Sequence, residues 1–276
     1  MYVENASAPA RKPVTVPNLH AMKAEGRKIA VLTAYDASFA VQVEQAGVDV
    51  ALVGDSLGMV VQGHRSTLPV TLDQMVYHTA AVARGLSTTL LIADVPFLAD
   101  RDVAYALEAG ARLVGEAGAA MLKVEGGSPH ILESIHALTE RVIPVCAHLG
   151  LTPQSVHKFG GFKIQGREHD AAERVFSEAL AVQEAGADLL VLEGVPSSLG
   201  ERITKALKIP VIGIGAGPHC DGQVLVIYDM LGITPGKRPK FSKDFLAGRH
   251  SVREAIEAYV ADVRSSVFPA AEHSFN

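Results

Sequence analysis

The sequence predicts an α/β protein built as a (β/α)₈, or TIM, barrel. Short runs rich in Val, Ile, Leu and Ala recur along the 276 residues, and alanine-rich amphipathic stretches lie between them. Continuous apolar strands that alternate with helices indicate a parallel sheet covered by helices. Seven strong runs and a weaker eighth match the strand number of this barrel. A doubly wound sheet is the alternative, but TAYDASFA follows the first strand, where that fold places a glycine-rich loop.

The predicted elements follow one another in a regular order. The strand candidates are KIAVLTAYD (28–36), VDVALVGDS (48–56), TLLIADVPF (89–97), AAMLKVEGG (119–127), IPVCAHLGL (143–151), ADLLVLEGV (187–195), IPVIGIGAG (209–217) and, more weakly, QVLVIYDML (223–231). Helices are predicted over 38–46, 71–85, 102–116, 130–140, 170–185 and 197–207. Gly47, Gly118 and Gly186 stand ahead of strands, where a left-handed residue ends a helix. The glycines of FGGFKIQG, within residues 152–169, indicate an ordered excursion or a lid.

Composition narrows the classes of partner and compartment. The net charge of −5 and the absence of a basic stripe argue against a nucleic-acid or anionic-membrane partner. No apolar stretch reaches the length of a membrane span. The two cysteines, Cys146 and Cys220, form no CxxC motif, which favours a reducing cytoplasm. Residues 1–16 carry no secretory signal and are predicted to be a disordered or loosely held lead-in, and residues 17–276 a single barrel domain.

Four strand candidates end in an acidic residue: Asp55, Asp94, Glu125 and Glu193. The carboxyl ends of all strands lie at one face of a parallel barrel, where active sites form, so these acids are expected to converge. Convergent carboxylates repel one another unless a cation joins them, and their oxygen atoms suit Mg²⁺. An acid after a strand can also cap a helix or start a turn. Glutamate is a poor cap, so this alternative is weakest for Glu125 and Glu193.

Three further polar residues share the predicted face. Lys123 precedes Glu125 by two positions and therefore points to the same side of its strand. It either faces an anion or is an edge residue that extends to solvent. His148 is a candidate for proton transfer or for a place beside a metal, although such a histidine is more often structural. Ser56 either donates a hydrogen bond to a substrate carboxylate or caps a helix.

Weaker signals concern other residues at the mouth of the predicted barrel, which is the opening at its carboxyl face. The GIGAG segment (213–217) is interpreted either as a phosphate cradle or as a site of close backbone approach. Tyr35, Asp36 and His64 lie in or near the mouth and are candidates for supporting contacts. No Ser-His-Asp, Cys-His or HExxH pattern is found, which leaves the acids as the main chemical groups.

Several of these segments resemble the signature motifs of the ketopantoate hydroxymethyltransferase family. They are TAYDASFA, LVGDSLGMVVQGHRSTLPVTLDQMVYHTAAV, ADVPF, KVEGG, HLGLTPQSV, FGGFKIQGR, VLEGVP and IPVIGIGAG. The resemblance runs from about residue 17 to the C-terminal AEHSFN. It implies a barrel of the phosphoenolpyruvate/isocitrate-lyase-like group, with Mg²⁺ as cofactor and 5,10-methylenetetrahydrofolate as co-substrate. It also implies a homo-oligomer, a decamer in the family.

The resemblance further implies a role for each polar residue. Metal binding is expected of Asp55 and Asp94, with Glu125 in the same metal site, directly or through water. Contacts to the keto acid are expected of Asp55, Ser56, Asp94 and Lys123. Glu193 is expected to accept the proton in catalysis.

The reaction implied is one-carbon transfer to a keto acid. A hydroxymethyl group passes from 5,10-methylenetetrahydrofolate to 3-methyl-2-oxobutanoate through a Mg²⁺-stabilised enolate, which gives 2-dehydropantoate (ketopantoate) for pantothenate and coenzyme A biosynthesis. One alternative is a Mg²⁺-dependent keto-acid lyase or mutase of the same barrel group, which would need no folate. The other is a non-catalytic ligand-binding barrel, which would be expected to lose some of the acids.

Overall fold

The computed structural model describes residues 11–234, 236 and 238–276. Its strands are β1 (Ile29–Thr33), β2 (Val50–Val53), β3 (Leu90–Asp94), β4 (Met121–Glu125), β5 (Val145–Gly150), β6 (Leu189–Glu193), β7 (Val211–Ile214) and β8 (Gly222–Leu225). Each strand pairs in parallel with the next, and β8 pairs with β1, so the sheet closes into a barrel. This confirms the predicted (β/α)₈ fold.

The helices surround the sheet. They are α1 (Val16–Ala24), α2 (Ala37–Gln45), α3 (Leu57–Val60), α4 (Leu72–Ala83), α5 (Val103–Gly110), α6 (Pro129–Thr139), α7 (Val156–Phe159), α8 (His169–Glu184), α9 (Ser197–Ala206), α10 (Ile227–Met230) and α11 (Val252–Arg264). A π-helical segment, Ala111–Glu116, continues α5, and 3₁₀ turns form at Pro153–Ser155 and Ala271–His273. None of the helices in the described part of the chain has both the length and the apolarity that a membrane crossing requires.

Two differences from the predicted elements lie after β7. The eighth strand ends at Leu225, and the rest of the predicted run turns into α10. The turn is stabilised because the amide of Ile227 donates to the Thr33 hydroxyl at 2.9 Å. The long helix α11 was not predicted, although its buried residues Ile256, Tyr259, Val260 and Val263 follow helical spacing.

The amino-terminal end of the barrel is closed by α1. Leu19 and Met22 of this helix pack into the cluster that fills the barrel interior. Of the predicted lead-in, residues 1–10 lie outside the described residues. In residues 11–16, Arg11 donates to the Val48 carbonyl at 2.7 Å and pairs with the Asp49 carboxylate.

Alternation along the strands places the polar residues inside the barrel. Side chains of a barrel strand point in turn to the interior and to the helices. In β4, Met121 belongs to the interior cluster, and Lys123 and Glu125 follow it at intervals of two. The same interval leads from Ile92 to Asp94, from Cys146 to His148 and from Val191 to Glu193. The apolar interior therefore ends, at the carboxyl face, in a layer of polar groups.

Candidate active site

The carboxyl face of the barrel holds a cavity of about 420 Å³. The structure brings all seven residues predicted for the site into its lining: Asp55, Ser56, Asp94, Lys123, Glu125, His148 and Glu193. They come from β3 to β6 or from the loop after β2, so the convergence results from the parallel barrel rather than from closeness in sequence.

The two aspartates lie side by side. The backbone amide of Asp55 donates to Asp94 Oδ2 at 3.0 Å, and both residues are buried. Burial, together with the neighbouring carboxylates, raises the pKa of Asp55 to about 6 and that of Asp94 to about 7, although Lys123 lowers both. Asp94 Oδ1 is buried and forms no hydrogen bond with the described residues. This pair is an oxygen-rich site that a cation would stabilise.

Lys123 supplies the positive charge of the cluster. Its Nζ lies 3.1 Å from Asp94 Oδ1 and 3.6 Å from Glu125 Oε1. The side chain is only 4% exposed, so Lys123 is not an edge residue that extends to solvent. Burial alone would lower the pKa of Lys123, but the surrounding carboxylates outweigh it and raise the pKa. The ammonium group therefore stays charged inside the barrel.

His148 connects the lysine with two glutamates. Its Nδ1 lies 3.1 Å from Lys123 Nζ and 3.2 Å from Glu125 Oε1. Burial, followed by the charge of Lys123, lowers the pKa of His148, so the imidazole is neutral near pH 7. Because an ammonium group only donates, Nδ1 accepts from Lys123 and Nε2 carries the proton, so the contact of Nδ1 with Glu125 is not a hydrogen bond in this tautomer. Nε2 lies 3.3 Å from Glu193 Oε2, in a contact that falls short of hydrogen-bond geometry.

Glu193 is the most accessible of the acids that end a strand. Its side chain is 14% exposed, compared with 3% for Asp94 and 4% for Glu125. Burial raises the pKa of Glu193, and the nearby His148 lowers it in part. Glu193 thus combines a basic carboxylate with access to the cavity, which are the properties required of a proton acceptor.

Ser56 is held by a buried tyrosine. Tyr35 Oη and Ser56 Oγ are 2.9 Å apart, and Tyr35 is 1% exposed. Ser56 precedes α3, but its side chain forms no capping hydrogen bond, so the helix-cap interpretation is wrong. Asp36 instead caps α2, and the exposed His64 does not line the cavity. Of the three candidates for supporting contacts, only Tyr35 touches a predicted site residue.

Gln154 is a site residue that the sequence analysis missed. Its Nε2 donates to Asp55 Oδ2 at 2.9 Å and to the Val95 carbonyl at 3.1 Å. Its backbone amide donates to Glu125 Oε2 at 3.1 Å. The only sequence signal was its place in the HLGLTPQSV motif, because a glutamine on a loop has no spacing that predicts such contacts. Gln154 orients two acids that belong to different strands.

The glycine-rich segments have different roles. A Cβ atom at Gly215 would lie 3.0 Å from Phe241 and from Phe275, which supports the close-approach interpretation of GIGAG. None of the GIGAG glycines lines the cavity. The FGGFKIQG excursion supplies Phe162 and Ile164 to the cavity lining. This excursion therefore lies at the mouth of the site.

The fold and the site together define a barrel enzyme, with a polar cluster at the carboxyl face where catalysis occurs in such barrels. The model of the family "Ketopantoate hydroxymethyltransferase" matches residues 13–271. The chain belongs to the ketopantoate hydroxymethyltransferase family, as its motifs predicted, and is accordingly a transferase. The lyase, mutase and non-catalytic alternatives are not favoured.

Curated relatives match over nearly the full length. The chain is 55% identical to the 3-methyl-2-oxobutanoate hydroxymethyltransferase 1 of Burkholderia ambifaria, over 99% of each chain. It is 56% identical to the 3-methyl-2-oxobutanoate hydroxymethyltransferase of Nitrosococcus oceani, over 95% of this chain and 99% of that one. The enzyme of the same name from Tolumonas auensis is 57% identical, over 95% of this chain and 99% of that one.

Solved structures share the fold at low identity. A 2,3-dimethylmalate lyase, described as a member of the PEP mutase/isocitrate lyase superfamily, has a TM-score of 0.57 at 16% identity, over 79% of this chain and 82% of that one. A phosphonopyruvate hydrolase solved with oxalate and Mg²⁺ has a TM-score of 0.58 at 16% identity, over 90% of this chain and 95% of that one. These similarities support the barrel fold that the sequence predicts.

Proposed function

We propose that this protein transfers a hydroxymethyl group from 5,10-methylenetetrahydrofolate to 3-methyl-2-oxobutanoate and forms 2-dehydropantoate for pantothenate and coenzyme A biosynthesis. The names of the relatives support the keto acid and the group transferred. One structural observation supports the chemistry: an accessible glutamate, a charged lysine and a pair of aspartates line a single cavity.

Mg²⁺ is the cofactor that the donor set fits best. Asp55 and Asp94 would hold it. The Asp55 amide donates to Asp94 Oδ2, and Asp94 Oδ1 forms an ion pair with Lys123 at 3.1 Å but no hydrogen bond with the described residues. No three His, Cys, Asp or Glu side chains of the described residues form a complete cage, but Mg²⁺ usually takes one or two carboxylates and keeps water or substrate in its other positions. Glu125 is already contacted by Lys123, His148 and Gln154, so it would act through water. Bound Mg²⁺ would polarise the keto group and stabilise negative charge on its oxygen.

Side chains of the protein would bind the keto acid, remove its proton and limit the entry of water. Ser56 and Lys123 would bind the keto acid, the serine by a hydrogen bond and the lysine by its charge. Glu193 would remove the C3 proton, and C3 would then bond to the methylene carbon of the folate. Water would supply the hydroxyl group as the carbon–nitrogen bonds to the folate break, and tetrahydrofolate would leave. His148, between Lys123 and Glu193, would keep the base oriented toward the cavity. The apolar cover from Phe162 and Ile164 would limit the entry of water.

The proposed function is tested by exchange of the C3 proton of 3-methyl-2-oxobutanoate into deuterated water. We expect exchange that requires Mg²⁺ and proceeds without folate, and ketopantoate formation only when 5,10-methylenetetrahydrofolate is added. Proton NMR follows both reactions in one sample. Absence of exchange with Mg²⁺ present, or cleavage of the keto acid without folate, would contradict the proposal.

Stabilisation by Mg²⁺ is expected to increase with pH. Asp55 and Asp94 have folded pKa values of about 6 and about 7, above the value of about 3.9 in an unfolded chain. Without Mg²⁺, their contribution to stability is therefore present at low pH and lost as the pH rises through 6 to 7. Mg²⁺ should offset this loss, so it should raise the unfolding temperature more at about pH 8 than at about pH 5. Equal shifts at both pH values, against a KCl control of matched ionic strength, would argue against the aspartate site.

Gln154→Ala is expected to weaken metal binding about tenfold, in the range measured for residues that orient metal ligands. The change removes the side-chain amide that donates a hydrogen bond to Asp55. In the wild type this hydrogen bond lowers the pKa of Asp55. Binding of Mn²⁺, used as a spectroscopic substitute, can be measured by electron paramagnetic resonance. Gln165→Ala is the matched control, because the half-buried Gln165 side chain hydrogen-bonds, among the described residues, only to the Lys163 carbonyl. Equal affinities of the two variants would remove Gln154 from the metal site.

Assembly and compartment are also proposals. The family resemblance supports a homo-oligomer, specifically a decamer, which sedimentation velocity would test. A reducing cytoplasm is supported by Cys146 and Cys220, which are both buried and free.

A further inference from the structure

The cavity is larger than its keto acid requires. Its volume of about 420 Å³ lies in the range typical of drug-sized ligands, whereas 3-methyl-2-oxobutanoate is a small anion. The acids, Lys123 and His148 line the side formed by β2 to β6. In an eight-stranded barrel, β8 and β1 lie opposite β4 and β5, so a second part of the cavity lies across from Lys123 and His148.

A buried carboxylate lies in that opposite wall. Asp229, in the short helix α10 after β8, lines the cavity and is only 7% exposed. Its Oδ1 accepts a hydrogen bond of 2.6 Å from Thr234 Oγ1. Among the described residues, Asp229 Oδ2 has no hydrogen-bond partner, and the ion pair of Arg238 is with Asp244. Burial raises the pKa of Asp229, although the charge of Arg238 lowers it in part, and this burial is a cost that a ligand with hydrogen-bond donors would offset.

The walls between the two sides are aromatic. Phe162, Phe241 and Phe275 line the cavity together with Val226 and Leu225. Flat faces of this kind stack with planar heterocycles. The three phenylalanines come from the excursion after β5, the loop after α10 and the carboxyl terminus, so they meet only in the folded barrel.

We propose that Asp229 recognises the 2-amino-4-oxopyrimidine ring of the folate pterin. This inference rests on the proposed function and extends it to the second substrate. The ring presents an N–H and an amino group side by side, and a carboxylate can accept both with its two oxygen atoms. Asp229 Oδ1 keeps a second lone pair beside its bond from Thr234, so the two interactions are compatible. The keto acid would thus occupy the β2–β6 side, and the pterin the β8–β1 side.

A purely structural role for Asp229 makes a different prediction. In that case the carboxylate would only hold the Thr234 segment in place, and loss of either partner would have the same effect. Asp229→Asn keeps the size of the side chain and one acceptor, but places an amide donor against the donors of the pterin. Thr234→Val removes the contact within the loop and leaves the carboxylate intact.

The two variants and the wild type are compared in three measurements. These are folate-free C3 exchange, the Kd of tetrahydrofolate by calorimetry, and the Kd of a 2-desamino analogue. For Asp229→Asn we expect exchange within about twofold of wild type and tetrahydrofolate binding about 10- to 100-fold weaker, the cost of a lost charge-assisted pair. Thr234→Val should bind tetrahydrofolate close to wild type. The analogue should bind weakly to the wild type and no more weakly to Asp229→Asn.

The results separate this inference from the function on which it rests. If Asp229→Asn binds tetrahydrofolate with the same Kd as the wild type, pterin recognition by Asp229 is overturned and the proposed function is left intact. An equal loss of tetrahydrofolate affinity in Asp229→Asn and Thr234→Val would assign Asp229 a structural role. So would the loss of both C3 exchange and tetrahydrofolate binding in Asp229→Asn. Absence of exchange in the wild type would instead reject the proposed function itself.

Discussion

Glu193→Gln is expected to abolish exchange of the C3 proton while the keto acid still binds. The amide cannot accept the proton, and loss of a general base typically costs 10² to 10⁴ in rate. The amide has nearly the same size, so its contact with His148 at 3.3 Å need not change. Neither Asp55 nor Asp94 touches Glu193 by hydrogen bond in the described structure, so the proposed Mg²⁺ site should remain.

The measurement is deuterium incorporation at C3 by NMR, paired with calorimetry of keto-acid binding in Mg²⁺. Glu184→Gln, at an exposed position of α8, makes the same chemical change away from the cavity and should exchange like the wild type. Unchanged exchange in Glu193→Gln would remove Glu193 as the base. A parallel loss of keto-acid binding would show instead that Glu193 binds substrate.

Asp94→Ala is expected to weaken Mg²⁺ and keto-acid binding together, by at least about 100-fold. The change removes one of the two adjacent aspartates and the acceptor of the Asp55 amide. It also takes away the closest carboxylate of Lys123, at 3.1 Å, so the pKa of Lys123 should fall. Mutation of a residue that only orients a metal ligand typically lowers metal affinity about 10- to 100-fold. Loss of a direct ligand should therefore lower the affinity by more than that.

Calorimetric titration with MgCl₂, followed by keto acid, measures both affinities. Asp170→Ala, at an exposed site in the first turn of α8, is the matched control and should leave them unchanged. Circular dichroism of each variant verifies folding, because Asp94 is buried. Retention of both affinities in a folded Asp94→Ala would reject the aspartate pair as the metal site.

The sequence was sufficient to predict the barrel and the convergence of its acids. A parallel barrel collects the carboxyl ends of its strands at one face, so Asp94, Glu125 and Glu193 had to meet once their strands were recognised. Period-two alternation also placed Lys123 beside Glu125, and both line the cavity. Local order therefore determines these positions, because strand direction and alternation are short-range properties.

Other features required the folded chain. The contacts of Gln154 to Asp55 and Glu125 join residues 99 and 29 positions apart, through a loop whose path no periodicity predicts. Whether Lys123 reached solvent, and whether Ser56 capped α3, depended on neighbours from other strands and loops. The position of Asp229, beside β1 and across the barrel from β4, likewise follows from closure of β8 against β1.

The sequence by itself thus determined the type of barrel, the family and the acids at the strand ends, since these depend on alternation, strand polarity and continuous motifs. Only the tertiary structure decided which acid is accessible enough to act as a base, which groups pair with Lys123, and that Asp229 lies across the cavity. Burial and through-space distance set these properties, and both depend on residues that are far apart in the chain.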